Sequence, residues 1–85
     1  MSYRIVIPKL VENQIEELPD FIQERILKRT TEMTKNPRPF GSIKLKGTKN
    51  EYRTRIGNYR LRYQILDKEL LVVLVSCKHR KDVYR

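Results

Sequence analysis

Residues 52 to 63, Tyr-Arg-Thr-Arg-Ile-Gly-Asn-Tyr-Arg-Leu-Arg-Tyr, alternate cations with apolar, aromatic or threonine residues on both sides of a Gly-Asn pair. Period-2 alternation marks a half-buried strand, and Gly57-Asn58 can supply the positive φ angles of a two-residue hairpin loop. With that loop, Ile56 faces Tyr59, Arg55 faces Arg60, Thr54 faces Leu61, Arg53 faces Arg62 and Tyr52 faces Tyr63. One face of the hairpin is core and the other carries four arginines. Opposed like charges on paired strands destabilise the pair. Guanidinium groups are planar forks of donors suited to phosphate, so a polyanion would relieve the repulsion and fill the donors together. The plain alternative is a solvated edge hairpin whose charges discourage aggregation. Four arginines in two facing pairs, with no acid interleaved, favour an anion site.

The charge distribution points the same way. Of a net charge of +9, residues 1 to 40 carry seven Lys/Arg against six Asp/Glu, and residues 41 to 85 carry twelve against four. Such asymmetry directs the second half toward nucleic acid or another polyanion and leaves the first half as scaffold. With 85 residues the chain is expected to be one domain, 1–85, and its 39% apolar and 34% charged content fits a globular fold. No apolar run approaches the ~20 residues of a membrane span and no signal peptide opens the chain, so a cytoplasmic location is expected. The lone Cys77 reads as a core or near-core residue.

Taken in order, Tyr3 to Ile7 reads as a first strand ended by Pro8. Leu10, Val11, Ile15 and Leu18 have helical spacing, and Leu18-Pro19-Asp20 breaks the helix, with Asp20 as N-cap and Gln23 three residues on. Phe21, Ile22, Arg25, Ile26, Arg29 and Met33 trace the buried stripe of a second helix. After the Pro-rich segment 36–41, Ser42 to Gly47 reads as a strand with Ile43 and Leu45 inward and Lys44 and Lys46 outward. The arginine hairpin follows. Asp67-Lys68 then turns into Glu69 to Ser76, apolar on both faces and so the expected central strand. The fold class is α+β: an N-terminal strand and an antiparallel helix pair packed on one face of a mostly antiparallel four- to five-stranded sheet, with the first strand joining the far side of the central strand.

No metal site and no cofactor are expected, because the basic half offers one Cys, one His and four carboxylates at no ligand spacing. His79 is the sole histidine, the residue type suited to proton transfer near neutral pH, and Arg80 and Tyr84 follow it. Fixed positive charge with one His and one Tyr suits RNA cleavage. The 2′-hydroxyl is the nucleophile, arginines neutralise the phosphorane, and His or Tyr protonates the leaving 5′-oxygen.

Lys44-Leu45-Lys46-Gly47, Tyr52 to Tyr63 and His79-Arg80-Lys81-Asp82-Val83-Tyr84, in this order, resemble the RelE family of toxins from bacterial and archaeal toxin–antitoxin pairs. The resemblance spans essentially the whole chain. It implies the RelE-like fold and a metal-independent endoribonuclease that cuts mRNA in the ribosomal A site, leaves a 2′,3′-cyclic phosphate and is silenced by a cognate antitoxin. By position, Arg53 and Arg55 fall where well-studied members carry two lysines, Arg60 where they carry a phosphate-binding arginine, and Arg80 and Tyr84 where they carry a C-terminal arginine and tyrosine. Arginine is a poor general base, so that role moves to His79 or Tyr84. Lys44, Lys46, Arg62, Lys78 and Lys81 are expected to support RNA binding. The related ParE-like toxins, which poison DNA gyrase without catalytic groups, and a non-catalytic basic RNA- or ribosome-binding module stay open beside the nuclease.

Overall fold

The computed structural model of the chain describes residues 2–83. It runs β1 (Arg4–Val6), α1 (Lys9–Glu16), α2 (Asp20–Met33), β2 (Ile43–Lys44), β3 (Glu51–Ile56), β4 (Tyr59–Leu66), a 3₁₀ turn at Asp67–Glu69, β5 (Leu71–His79) and α3 (Arg80–Val83). The strands form one sheet in the order β1-β5-β4-β3-β2, with β1 parallel to β5 and every other pair antiparallel. The mixed α+β sheet is the expected one. β5 has a neighbour on each side, but β4 rather than β5 holds the middle position.

The hairpin has the register that alternation predicts, from Ile56 opposite Tyr59 to Tyr52 opposite Tyr63. Only Gly57 takes a positive φ, +60°, while Asn58 does not, so the glycine at the first loop position carries the turn. Thr54, Ile56, Leu61, Tyr63 and Ile65 point to one face and are buried. Val11 of α1 and Ile22, Ile26 and Met33 of α2 pack on them, together with Val72, Leu74 and Cys77 of β5. Each such side chain removed from water contributes roughly 1.5–3 kcal/mol, so this face holds the fold together. Burial pushes the Cys77 thiol up to about 11, as befits a core cysteine.

The helix stripe is narrower than its sequence pattern. Phe21 and Leu10 are exposed, and α2 buries Ile22, Ile26, Thr30 and Met33 instead. Asp20 lies inside the first turn of α2, with Pro19 at the cap position and no side-chain capping bond. Gln23 does different work: its amide donates to the carbonyls of Leu18 (2.8 Å) and Glu16 (3.3 Å), stitching α2 back to the end of α1.

Two local features change which side chains share a face. In β5, Tyr63 opposes Leu74 but Arg62 opposes Ser76, so Val75 is an extra residue, a β-bulge. Beyond it the alternation changes phase. Cys77 and His79 fall on the helix-covered face, and Ser76 and Lys78 fall on the open face opposite Arg62 and Arg60. In β2 the expected orientation is inverted. Ile43 opposes Arg53 and therefore shares the open face, while Lys44 opposes Tyr52 and points the other way. With two paired residues, β2 buries neither side chain, so its apolar positions had no core to choose.

Four distant segments are tied by one polar cluster. Tyr3 donates its hydroxyl to Asp67 (2.6 Å), Arg38 forks onto both Asp67 oxygens (2.8 and 3.3 Å), and Arg38 Nε donates to the Tyr52 hydroxyl (3.2 Å) while its guanidinium lies 5.1 Å from the Tyr52 ring centre. The bonds from Arg38 and then Tyr3 hold the Asp67 carboxyl below its ordinary range. Nearby, Tyr63 buries its ring and donates its hydroxyl to the Pro37 carbonyl (3.0 Å), fixing the start of the proline segment on the sheet.

Candidate functional site

The open sheet face holds a cleft of about 340 Å³ lined by Arg53 of β3, Arg60 and Arg62 of β4, Ser76 and Lys78 of β5, Leu45 after β2 and Asp82 of α3. Strand pairing sets its floor: Arg53 opposes Arg62, and Arg60 opposes Lys78, so three neighbouring strands each present cations to one space. Without the Val75 bulge, Lys78 would stand beneath the helices. Two acids adjoin the cations. Glu51 continues the alternation of Arg53 and Arg55 by one more step and reaches Arg62 at 2.9 Å, and Asp82 lines the cleft from α3. The hairpin stretch itself has no acid, yet its immediate predecessor supplies one. With Arg62 45% exposed in its side chain, such a pair is worth about 0–1 kcal/mol and yields to a phosphate offering more oxygens.

The other sequence-derived residues are dispersed. Arg55 opposes Arg60 in register but lines a depression at the hairpin tip, facing α2. His79 is not with the arginines. The bulge turns it to the helix-covered side, where its ring meets Tyr59 edge-on at 5.2 Å and its Nδ1 accepts the Lys81 backbone N–H at 3.1 Å. It lines a separate depression with Gln14, Glu17 and Leu18, which shares Lys78 and Asp82 with the arginine cleft as a common rim. Arg80 opens α3, exposed, and its backbone N–H donates to Asn58 O at 2.8 Å, pinning the hairpin loop to the end of β5. Lys44, Lys46 and Lys81 are exposed and lie outside the cleft lining. Tyr84 lies outside the described residues.

Leu45, Ser76 and Asp82 in the cleft, and Glu51 beside it, were passed over as site residues by sequence reasoning. Glu51 was recoverable by extending the alternation one step. Ser76 was not, because its face depends on the bulge. Among the described residues no three His, Cys, Asp or Glu side chains come together, and no helix is long and apolar enough to cross a membrane.

Three guanidinium groups and an ammonium converging on the open sheet face can hold a phosphate and balance charge gathering on it. A helix pair covering one side of a five-stranded mixed sheet, with such a cleft on the other, defines a small toxin of the RelE/ParE superfamily. The chain belongs to the family of the ParE toxin of the type II toxin–antitoxin system parDE, whose model matches residues 5–84. Its structure is similar to a chain of the archaeal RelE–RelB complex from Pyrococcus horikoshii OT3, with a TM-score of 0.85 at 33% identity over 94% of this chain and 97% of that one. The isolated E. coli RelE toxin gives 0.81 at 25% identity, over 98% of this chain and 92% of that one. The RelB–RelE antitoxin–toxin complex from Methanococcus jannaschii gives 0.79 at 25% identity, over 93% and 94%.

Proposed function

We propose that this toxin is a ribosome-dependent endoribonuclease that cuts mRNA without a metal ion and is held inactive by a cognate antitoxin. The observation that carries the reading is the convergence of Arg53, Arg60, Arg62 and Lys78 on the uncovered sheet face. In this scheme the scissile phosphate sits between Arg53 and Arg60. The ribose 2′-oxygen loses its proton and attacks phosphorus, the bond to the 5′-oxygen breaks, and that oxygen takes up a proton. The products are a 2′,3′-cyclic phosphate and a free 5′-hydroxyl. Arg60 and Arg53 offset the charge that builds on the non-bridging oxygens, the step where fixed donors are worth most, and Arg62 and Lys78 supply the surrounding field.

Proton transfer falls to His79 or Tyr84, and His79 is poorly placed for it because it is not among the arginines. His79 stands across the strand end from the cleft, so a strand leaving the cleft meets it only over the shared rim of Lys78 and Asp82. Tyr84 follows one residue after α3. Arg55, Arg80, Lys44, Lys46 and Lys81 add longer-range attraction for RNA around the site. The presence of RelE–RelB complexes among the similar structures supports an antitoxin as partner. A second reading, a gyrase poison, is favoured by the ParE description of the matching family.

The test is to add the purified chain to ribosomes programmed with a defined mRNA and to map the 3′ ends, with and without a metal chelator. Fragments ending at the A site in cyclic phosphate, insensitive to chelation and lost in Arg60→Ala, are expected. Intact mRNA accompanied by a defect in gyrase supercoiling selects the second reading. Ribosome binding with neither effect leaves a non-catalytic module.

A further inference from the structure

Phe40 is fully exposed, at 104% of its reference area, although it sits in a fixed backbone: Pro39 before it is buried, and Ser42 N–H donates to the Pro39 carbonyl at 3.0 Å. Ile43 beside it is 49% exposed. One exposed apolar residue means little. These two, however, line a depression of about 300 Å³ on the outer edge of β3 together with Arg53, Arg55 and Arg29. Arg53 is also a wall of the arginine cleft. On the far side, Arg55 and Arg29 are also walls of a corner depression of about 250 Å³ between α2 and the hairpin tip.

That corner is cationic. Arg25, Lys28 and Arg29 stand three and four residues apart on one face of α2 and meet Arg55 from the hairpin, with Glu32 as the lone acid, 3.9 Å from Arg29 Nε. Like charges at this helical spacing weaken a helix. Arg29 has structural work too: its Nη1 donates to the Thr54 hydroxyl and to the Arg55 carbonyl at 3.4 Å, closing the sheet edge that two-residue β2 leaves uncovered. Arg25 and Lys28 are exposed.

The order along the surface is therefore cations, exposed aromatic, cations, with shared arginines at both junctions. Single-stranded RNA has the matching sequence of phosphate, base, phosphate, and a base stacks on an aromatic ring while its flanking phosphates find cations. A purely acidic peptide such as polyglutamate would engage the cations but offers no ring to stack on Phe40, which makes it the comparison probe. Resting on the RNA reading of the cleft, we propose that RNA leaving the cleft continues around the edge of β3, stacks a base on Phe40 and places a further phosphate in the Arg25–Lys28–Arg55 corner. This surface is a second RNA subsite outside the reacting centre.

Binding of 5′-labelled 2′-O-methyl RNA, which lacks the nucleophile and stays whole, tests the proposal by fluorescence anisotropy across a salt series. Lengths of about 4 and about 16 nucleotides bracket the footprints that such surfaces take. For the long RNA, Arg25→Ala/Lys28→Ala lowers the slope of log affinity against log salt by about 1 to 2. Phe40→Ala weakens the long RNA by about five-fold or more with the slope unchanged. Neither alters binding of the short RNA, and both variants melt like wild type. Long RNA bound equally by wild type and both variants overturns the proposal, as does polyglutamate losing as much affinity as RNA to each variant. Failure of the cleft reading shows separately, as short RNA whose affinity is indifferent to Arg60→Ala. Wild-type protein that binds neither length overturns the second subsite, and cleavage on programmed ribosomes then decides the cleft reading by itself.

Discussion

The two faces of the β3–β4 hairpin are built from alternate residues of the same twelve and obey opposite rules. Toward the helices, Thr54, Ile56, Leu61 and Tyr63 are buried and satisfied. Away from them, Arg53 and Arg62 stand opposed, as do Arg55 and Arg60, an arrangement that costs the bare protein stability. The first face explains why the chain folds. On the proposed function, the second is explained by the RNA that it receives. A strand thus lets one peptide carry a stabilising requirement and a destabilising one side by side, because successive side chains never share a face.

That division makes the effects of substitution separable. Leu61→Ala, at a fully buried position, costs about 2–5 kcal/mol in a denaturant titration. RNA cleavage per folded molecule stays near wild type. Arg60→Ala is the mirror image: single-turnover cleavage on programmed ribosomes falls by about 10²–10³-fold, and the melting temperature holds or rises as Arg55 loses its opposed like charge. A variant of either face that moves both readouts equally breaks the separation. Tyr63→Phe keeps the ring but leaves the Pro37 carbonyl without its donor, at a cost of about 1–3 kcal/mol in the same titration. Asp67→Asn gives the smallest effect, and its signature is pH. The folded carboxyl is held below its ordinary value by Arg38 and Tyr3, so the contribution is full above the unfolded value and is lost as pH falls through the lower folded one. Wild type then loses an increment of thermal stability in acid that Asp67→Asn never has, as melting curves between pH 6 and pH 2 would show (~the span over which such a carboxylate titrates).

The hairpin and its register were legible because two constraints coincide there: strict alternation and a Gly-Asn loop that sets the pairing. The place of β1 on the far side of the apolar strand β5, in a mixed sheet, was legible too, and the pairing there is parallel. Where only one constraint operated, the sequence misled. Ile43-Lys44-Leu45 alternates, but a two-residue edge strand has no buried side, and the pairing of Ile43 with Arg53 settled its orientation. Phe21 and Leu10 fit helical periodicity, but their neighbours Ile22 and Val11 take the sheet-facing positions and leave them exposed. His79 sits at the end of an apolar strand whose both-sided character hid the bulge at Val75. From the letters alone no signal marks the extra residue, and a one-residue phase change moves every later side chain to the other side.

The extra residue at Val75 acts as a reading-frame change in β5. Upstream, the strand shows Leu74 to the helices; downstream, it shows Cys77 to them and hands Lys78 to the open sheet, so a strand that paired Val75 in regular alternation would interchange Lys78 and His79. Deleting Val75 would therefore straighten the strand yet leave Ser76, Cys77, Lys78 and His79 opposite their present partners, whereas keeping it and losing the bulge would set the ammonium among the helices and the imidazole among the guanidinium groups.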